Sequence, residues 1–170
     1  TNNTTFDGSA RDTEIYLQRP WDISAVIDHL EALPSDHFLA GLPDTSTIMA
    51  SGHSFGGYTM MALAGGTIDM DTWAAACDSG DTSDFCSTMT PQLETLFRAG
   101  FHEPRVDGYL PMAGGDFDKF GDAGLNAISE RITQLDGGFD NAEERDRIWN
   151  AVSRQGNFRV TLDTAGHQSF

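Results

Sequence analysis

Apolar residues fall into two patterns along this chain, a helical stripe and a short continuous run, and the two alternate. Ile23, Val26, Ile27, Leu30 and Leu33 recur at helical spacing, so a helix starts at Pro20-Trp21-Asp22 and ends at Pro34. The run Thr47 to Ala50 reads as a strand, and a helix over Tyr58 to Ala64 follows and stops at Gly65-Gly66. A second helical piece covers Met70 to Ala76. Pro91 to Ala99 is another helix, carrying Leu93, Leu96 and Phe97 and ended by Gly100. Val106 to Ala113 reads as a buried strand, 116–122 as a loop, and Leu125 to Glu130 as a short helix. Arg131 to Asp136 is the next strand, Asn141 to Val152 a strong helix, and Phe158 to Leu162 the last strand. Residues 1–12 are polar and read as an irregular arm. Strands alternating with helices predict an α/β fold, with a mostly parallel sheet and flanking helices.

Between the first strand and its helix lies Gly52-His53-Ser54-Phe55-Gly56, a G-x-S-x-G sequence. In this pattern a serine sits on a strained strand-to-helix turn, and the two glycines remove Cβ atoms that would collide where the backbone doubles back. Ser54 then projects at the start of a helix, where the dipole and free N–H groups favour a developing oxyanion. The Phe55 N–H is one donor to that oxyanion.

A serine hydroxyl needs a base within hydrogen-bond reach, and the base needs an orienting acid. In parallel sheets the working residues gather at the C-terminal ends of strands. Ser54 follows the first strand, Asp140 the 131–136 strand, and His167 the last. Their order, Ser then Asp then His, is that of an α/β-hydrolase triad. Asp116, Asp118 and Asp136 also lie at strand ends and stay open as alternative acids; Asp140 is favoured because one helix separates it from the His167 strand. His53 is expected to point away from the serine, into the fold. His29, His37 and His102 read as surface or capping residues.

Composition narrows the partners. The chain has 170 residues, enough for one domain with a real core, and a net charge of −16. Such a surface repels nucleic acid and anionic membranes. No apolar run approaches a membrane span. Asn2 and Asn3 fit the N-x-[ST] glycosylation pattern. Cys77 and Cys86 flank a polar loop, and a disulfide closing it implies a secreted or periplasmic protein; two unpaired thiols are the alternative. No second Cys or His pair has ligand spacing, so no metal is expected. The aspartates near 116–122 and 78–84 read as solvated acidic loops.

The stretch G-H-S-F-G-G-Y resembles the elbow of α/β-hydrolases related to platelet-activating-factor acetylhydrolase and to the predicted dienelactone hydrolases of bacteria. Arg19 to Leu30 resembles the helix these proteins carry before the elbow strand. The segment around Cys77 and Cys86 resembles the cysteine-bearing loop of exported members. Gly137 to Asp140 and Ala165 to Phe170 resemble the acid and histidine loops. The resemblance implies an α/β-hydrolase fold and a carboxylic ester hydrolase with Ser54, Asp140 and His167 as triad and no cofactor. It also implies several strands ahead of the elbow strand, which are lacking here. Residues 1–170 therefore read as a single domain, the C-terminal catalytic portion of such an enzyme. The expected substrate is a small or medium ester, and the expected partner a complementary N-terminal hydrolase chain or fragment. A lipase or polyester hydrolase of the same mechanism is the nearest alternative. A non-catalytic fragment that binds a complementary chain is the alternative from another class.

Overall fold

In the computed structural model of the chain, the described residues are 13–115, 117–154 and 156–170. Asp116, the expected arm, and Asn2 and Asn3 lie outside them. The elements are α1 (Glu14–Glu31), β1 (Ile48–His53), α2 (Phe55–Leu63), α3 (Met70–Asp78), α4 (Asp84–Ser87) and α5 (Pro91–Ala99). They continue with β2 (Val106–Met112), α6 (Phe117–Asn126), β3 (Thr133–Gly137), α7 (Ala142–Val152) and β4 (Phe158–Leu162). The protein is α/β, with a four-stranded, all-parallel sheet in the order β1-β2-β3-β4.

Sequential order has a consequence. Parallel crossovers are right-handed, and three of them in one direction stack their helices on the same side of the sheet. The side chains agree. On one face the Tyr109 hydroxyl lies 3.0 Å from the Leu63 carbonyl of α2, and Gln134 donates to the Arg145 carbonyl of α7 at 2.8 Å. Tyr58, Met61, Leu63, Ile132 and Ile148 are buried there. The opposite face carries Met49, Leu110, Leu135, Phe158, Val160 and Leu162, aligned by the strand register. Met49 is 70% exposed, Phe158 65%, Leu162 45% and Val160 44%. β1 is also an edge strand among the described residues.

Two expected elements are corrected. The first helix begins at Glu14, not at Pro20, which lies inside it. A proline there removes the N–H that would bond the carbonyl four residues back, that of Tyr16. The Tyr58 hydroxyl of α2 donates to that carbonyl at 2.9 Å, so the helix passes through the proline without an orphaned acceptor. Burial of Tyr16 and Leu17 holds the added turns. The helix also ends at Glu31, before Pro34.

The second correction concerns 116–122, expected as a loop, and Leu125 to Glu130, expected as a helix. The helical segment is Phe117–Asn126, kinked at Gly121, whose φ is 59°. Phe120 anchors it, fully buried with its ring 5.1 Å from that of Tyr58. Cys77 and Cys86 form a disulfide joining α3 to α4, with Cα atoms 5.1 Å apart. No helix among the described residues is long and apolar enough to cross a membrane.

Candidate active site

β1 delivers the first side chain. The Ser54 backbone has φ 56° and ψ −117°, a conformation a non-glycine residue holds only when its surroundings over-determine it. Here they do. The Ser54 N–H donates to the Met112 carbonyl at 2.9 Å, and the Gly57 N–H returns to the Ser54 carbonyl at 2.8 Å. A Cβ on Gly52 would collide with the Gly56 carbonyl, but Gly56, expected to be the second such position, has room for one; the second collision is at Gly57, against the Gly114 Cα. α2 therefore packs against the end of β2 closely enough to force the turn, and the Ser54 side chain does not cap the helix that follows.

The acid and histidine loops come as one unit. The Gly138 N–H donates to the Leu162 carbonyl at 2.9 Å, and the Phe139 N–H to the Ala165 carbonyl at 3.0 Å. Neither Gly137 nor Gly138 has room for a Cβ, which would meet the backbone of Ala165 or of Asp163. Arg145 of α7 braces the turn by donating from Nη1 to the Gly137 carbonyl at 2.7 Å.

These elements bring Ser54, Asp140 and His167 together. His167 Nε2 lies 2.9 Å from Ser54 Oγ, and His167 Nδ1 lies 3.1 Å from Asp140 Oδ2. The other Asp140 oxygen accepts the Asn141 N–H at 3.0 Å, at the start of α7. A carboxylate only accepts, so His167 carries its hydrogen on Nδ1 and presents the Nε2 lone pair to the serine hydroxyl. The Asp140 side chain is 19% exposed and that of His167 39%, so the base is open to solvent.

The alternative acids among the described residues point elsewhere. Asp136 is buried on the helix-covered face and accepts from Gln134 and, at 2.9 Å, from Arg159. Burial pushes its carboxyl up from the usual range, while those two partners pull it down. Asp118 pairs with Lys119 on α6. His102 pairs with Glu130, and His37 accepts from the Leu39 N–H.

His53 is a correction. It does not point into the fold: strand alternation sets it on the open face with Met49 and Ser51, and its Nε2 lies 2.6 Å from the His167 main-chain carbonyl. Alternation along β1 groups His53 with Met49 and Ser51, but only the strand order shows that this face is the open one. Arg145 was also missed, and a lone arginine in a helix gives no cue that it braces a loop.

Among the described residues no cluster of three or more metal-ligating side chains occurs. No protein-family profile and no curated protein sequence matches this chain.

Proposed function

We propose that the chain is a serine carboxylic ester hydrolase, the catalytic portion of an α/β-hydrolase, acting on small or medium esters through an acyl-enzyme. The observation that carries this reading is the continuous hydrogen-bonded line from Asp140 through His167 to Ser54, on the loops after β3, β4 and β1. The strained elbow supports it, since such backbone strain clusters at working sites.

In this mechanism Ser54 Oγ attacks the ester carbonyl carbon while His167 Nε2 takes its proton. Asp140 stabilises the imidazolium through Nδ1–H. The carbonyl oxygen becomes an oxyanion, and the Phe55 N–H at the start of α2 donates to it. Collapse breaks the bond to the alcohol, which leaves with the proton from His167. Water then attacks the acyl-serine, giving its proton to His167, and the carboxylic acid departs as Ser54 recovers its hydrogen. The chain's own residues supply every proton transfer.

A p-nitrophenyl ester series from acetate to palmitate tests this. Short esters should turn over, and Ser54→Ala should lower the rate on the order of 10⁴-fold or more. Preference for long chains would favour the lipase or polyester-hydrolase variant. A serine-directed fluorophosphonate should label the wild type and not Ser54→Ala; a folded chain that takes no label is the non-catalytic fragment instead.

The open apolar face supports a companion to this reading, a complementary hydrolase chain or segment that covers it, because parallel sheets bury both faces. A lone monomer with full activity in size-exclusion chromatography with light scattering would sink that part. The disulfide fits export to a secreted or periplasmic location, and comparison of cytoplasmic and exported expression tests it.

A further inference from the structure

The residue before the nucleophile reaches the base from behind. His53 is the last residue of β1, in register with Met112. Its ring centroid lies 4.9 Å from that of His167 and 6.0 Å from that of Phe170. Its Nε2 is 2.6 Å from the His167 carbonyl oxygen, a short contact for a nitrogen donor. That carbonyl can only accept, so His53 carries its hydrogen on Nε2. His167 must carry its own on Nδ1 to meet Asp140. Two neighbouring imidazoles are therefore fixed in opposite tautomers, each by its acceptor.

The bond has a place in the mechanics of the site. The turns around His167 hold the neighbouring residues to their own loop: Ala165 N–H to Leu162, Gly166 N–H to Ser169 Oγ, and Ser169 N–H to Gly166. None of them reaches β1. The His53 bond ties the main chain of His167 to the same turn that carries Ser54. The His167 side chain is 39% exposed, so packing alone does not fix where its ring stands. A base displaced by about 1 Å loses on the order of 10²-fold in rate.

We propose that His53 is a positioning residue, whose Nε2–H holds the His167 carbonyl so that one imidazole reaches Asp140 and Ser54 together. This rests on the triad reading above.

Two substitutions and one spectrum test it. His53→Phe keeps an aromatic ring against His167 and Phe170 and deletes the donor. His53→Gln returns an N–H at about the reach of Nε2. With p-nitrophenyl acetate, His53→Phe should lower kcat about 10- to 100-fold with KM within about twofold, and His53→Gln should recover to within about threefold of wild type. Unchanged kcat in His53→Phe, or His53→Gln as slow as His53→Phe, overturns the proposal. Thermal unfolding of both variants separates positioning from folding. The activity-independent readout is ¹⁵N NMR of the wild-type histidines. His53 should show a protonated Nε2 and a bare Nδ1 at neutral pH, with the reverse pattern at His167. A bare Nε2 at His53 overturns the proposal even if His53→Phe fails to fold. If the wild type hydrolyses no ester, the esterase reading falls, and the tautomers still decide whether His53 holds the histidine loop.

Discussion

The two faces of the sheet differ in where their polar groups sit and in what covers them. The covered face includes a polar cluster within its apolar core: Gln134 and Arg159 both donate to Asp136 there, under α7. The open face holds Met49, Leu110, Leu135, Phe158, Val160 and Leu162, and its strand positions include no Asp, Glu, Lys or Arg in a chain of net charge −16. A sheet designed to face water on one side alternates polar side chains outward. This one does not. Chain order accounts for this: among the described residues, consecutive right-handed crossovers place their helices on one face and none on the other.

Ile148→Ala, under the covered face, should cost about 2–5 kcal/mol in urea unfolding, whereas Phe158→Thr on the open face should cost about 1 kcal/mol or less. Equal losses would mean that the open face is packed. The acid response sharpens the covered side next. Glu103 is 4% exposed, and Arg105 beside it holds its carboxyl at about 2, well below the ordinary 4.5. A depressed folded-state value stabilises the fold above the unfolded one and loses that contribution as pH falls from about 4.5 towards 2. The loss should be on the order of 2–3 kcal/mol, and absent from Glu103→Gln, in unfolding followed against pH. Asp136 should act with the opposite sign: its raised value stabilises the fold at low pH, and that contribution fades as pH rises through it. The smallest effect belongs to Val160→Thr, 44% exposed on the open face, which should stay within about 0.5 kcal/mol.

What was legible in the sequence follows from where local rules suffice. Helix α5 matches its expected bounds because Thr90 caps it, Pro91 opens it, and Gly100 at φ 76° stops it. The positions of Ser54, Asp140 and His167 at three strand ends were legible because alternating strands and helices place them there. The start of α1 was not, because Pro20 looks like an opening residue until the Tyr58 hydroxyl is known to take the Tyr16 carbonyl that Pro20 leaves without its helical partner. Helix α6 was hidden for the same reason: the burial of Phe120 against Tyr58 is a long-range contact that overrides Gly121. The direction of His53 needed the topology, since only that tells which side of β1 lacks helices.

The double backbone link between the acid loop and the histidine loop has a mechanical consequence. Asp140 and His167 ride on one pair of loops, stapled at Gly138–Leu162 and Phe139–Ala165, while Ser54 rides on a separate turn, at the end of β1. At the site itself, the Ser54–His167 and His53–His167 bonds join this turn to the histidine loop. A wedge entering between the two would part serine from histidine before it parts histidine from aspartate. The proton acceptor and its counter-charge are therefore held as a preassembled unit, and the contact that joins this unit to the end of β1 is the one the proton must cross.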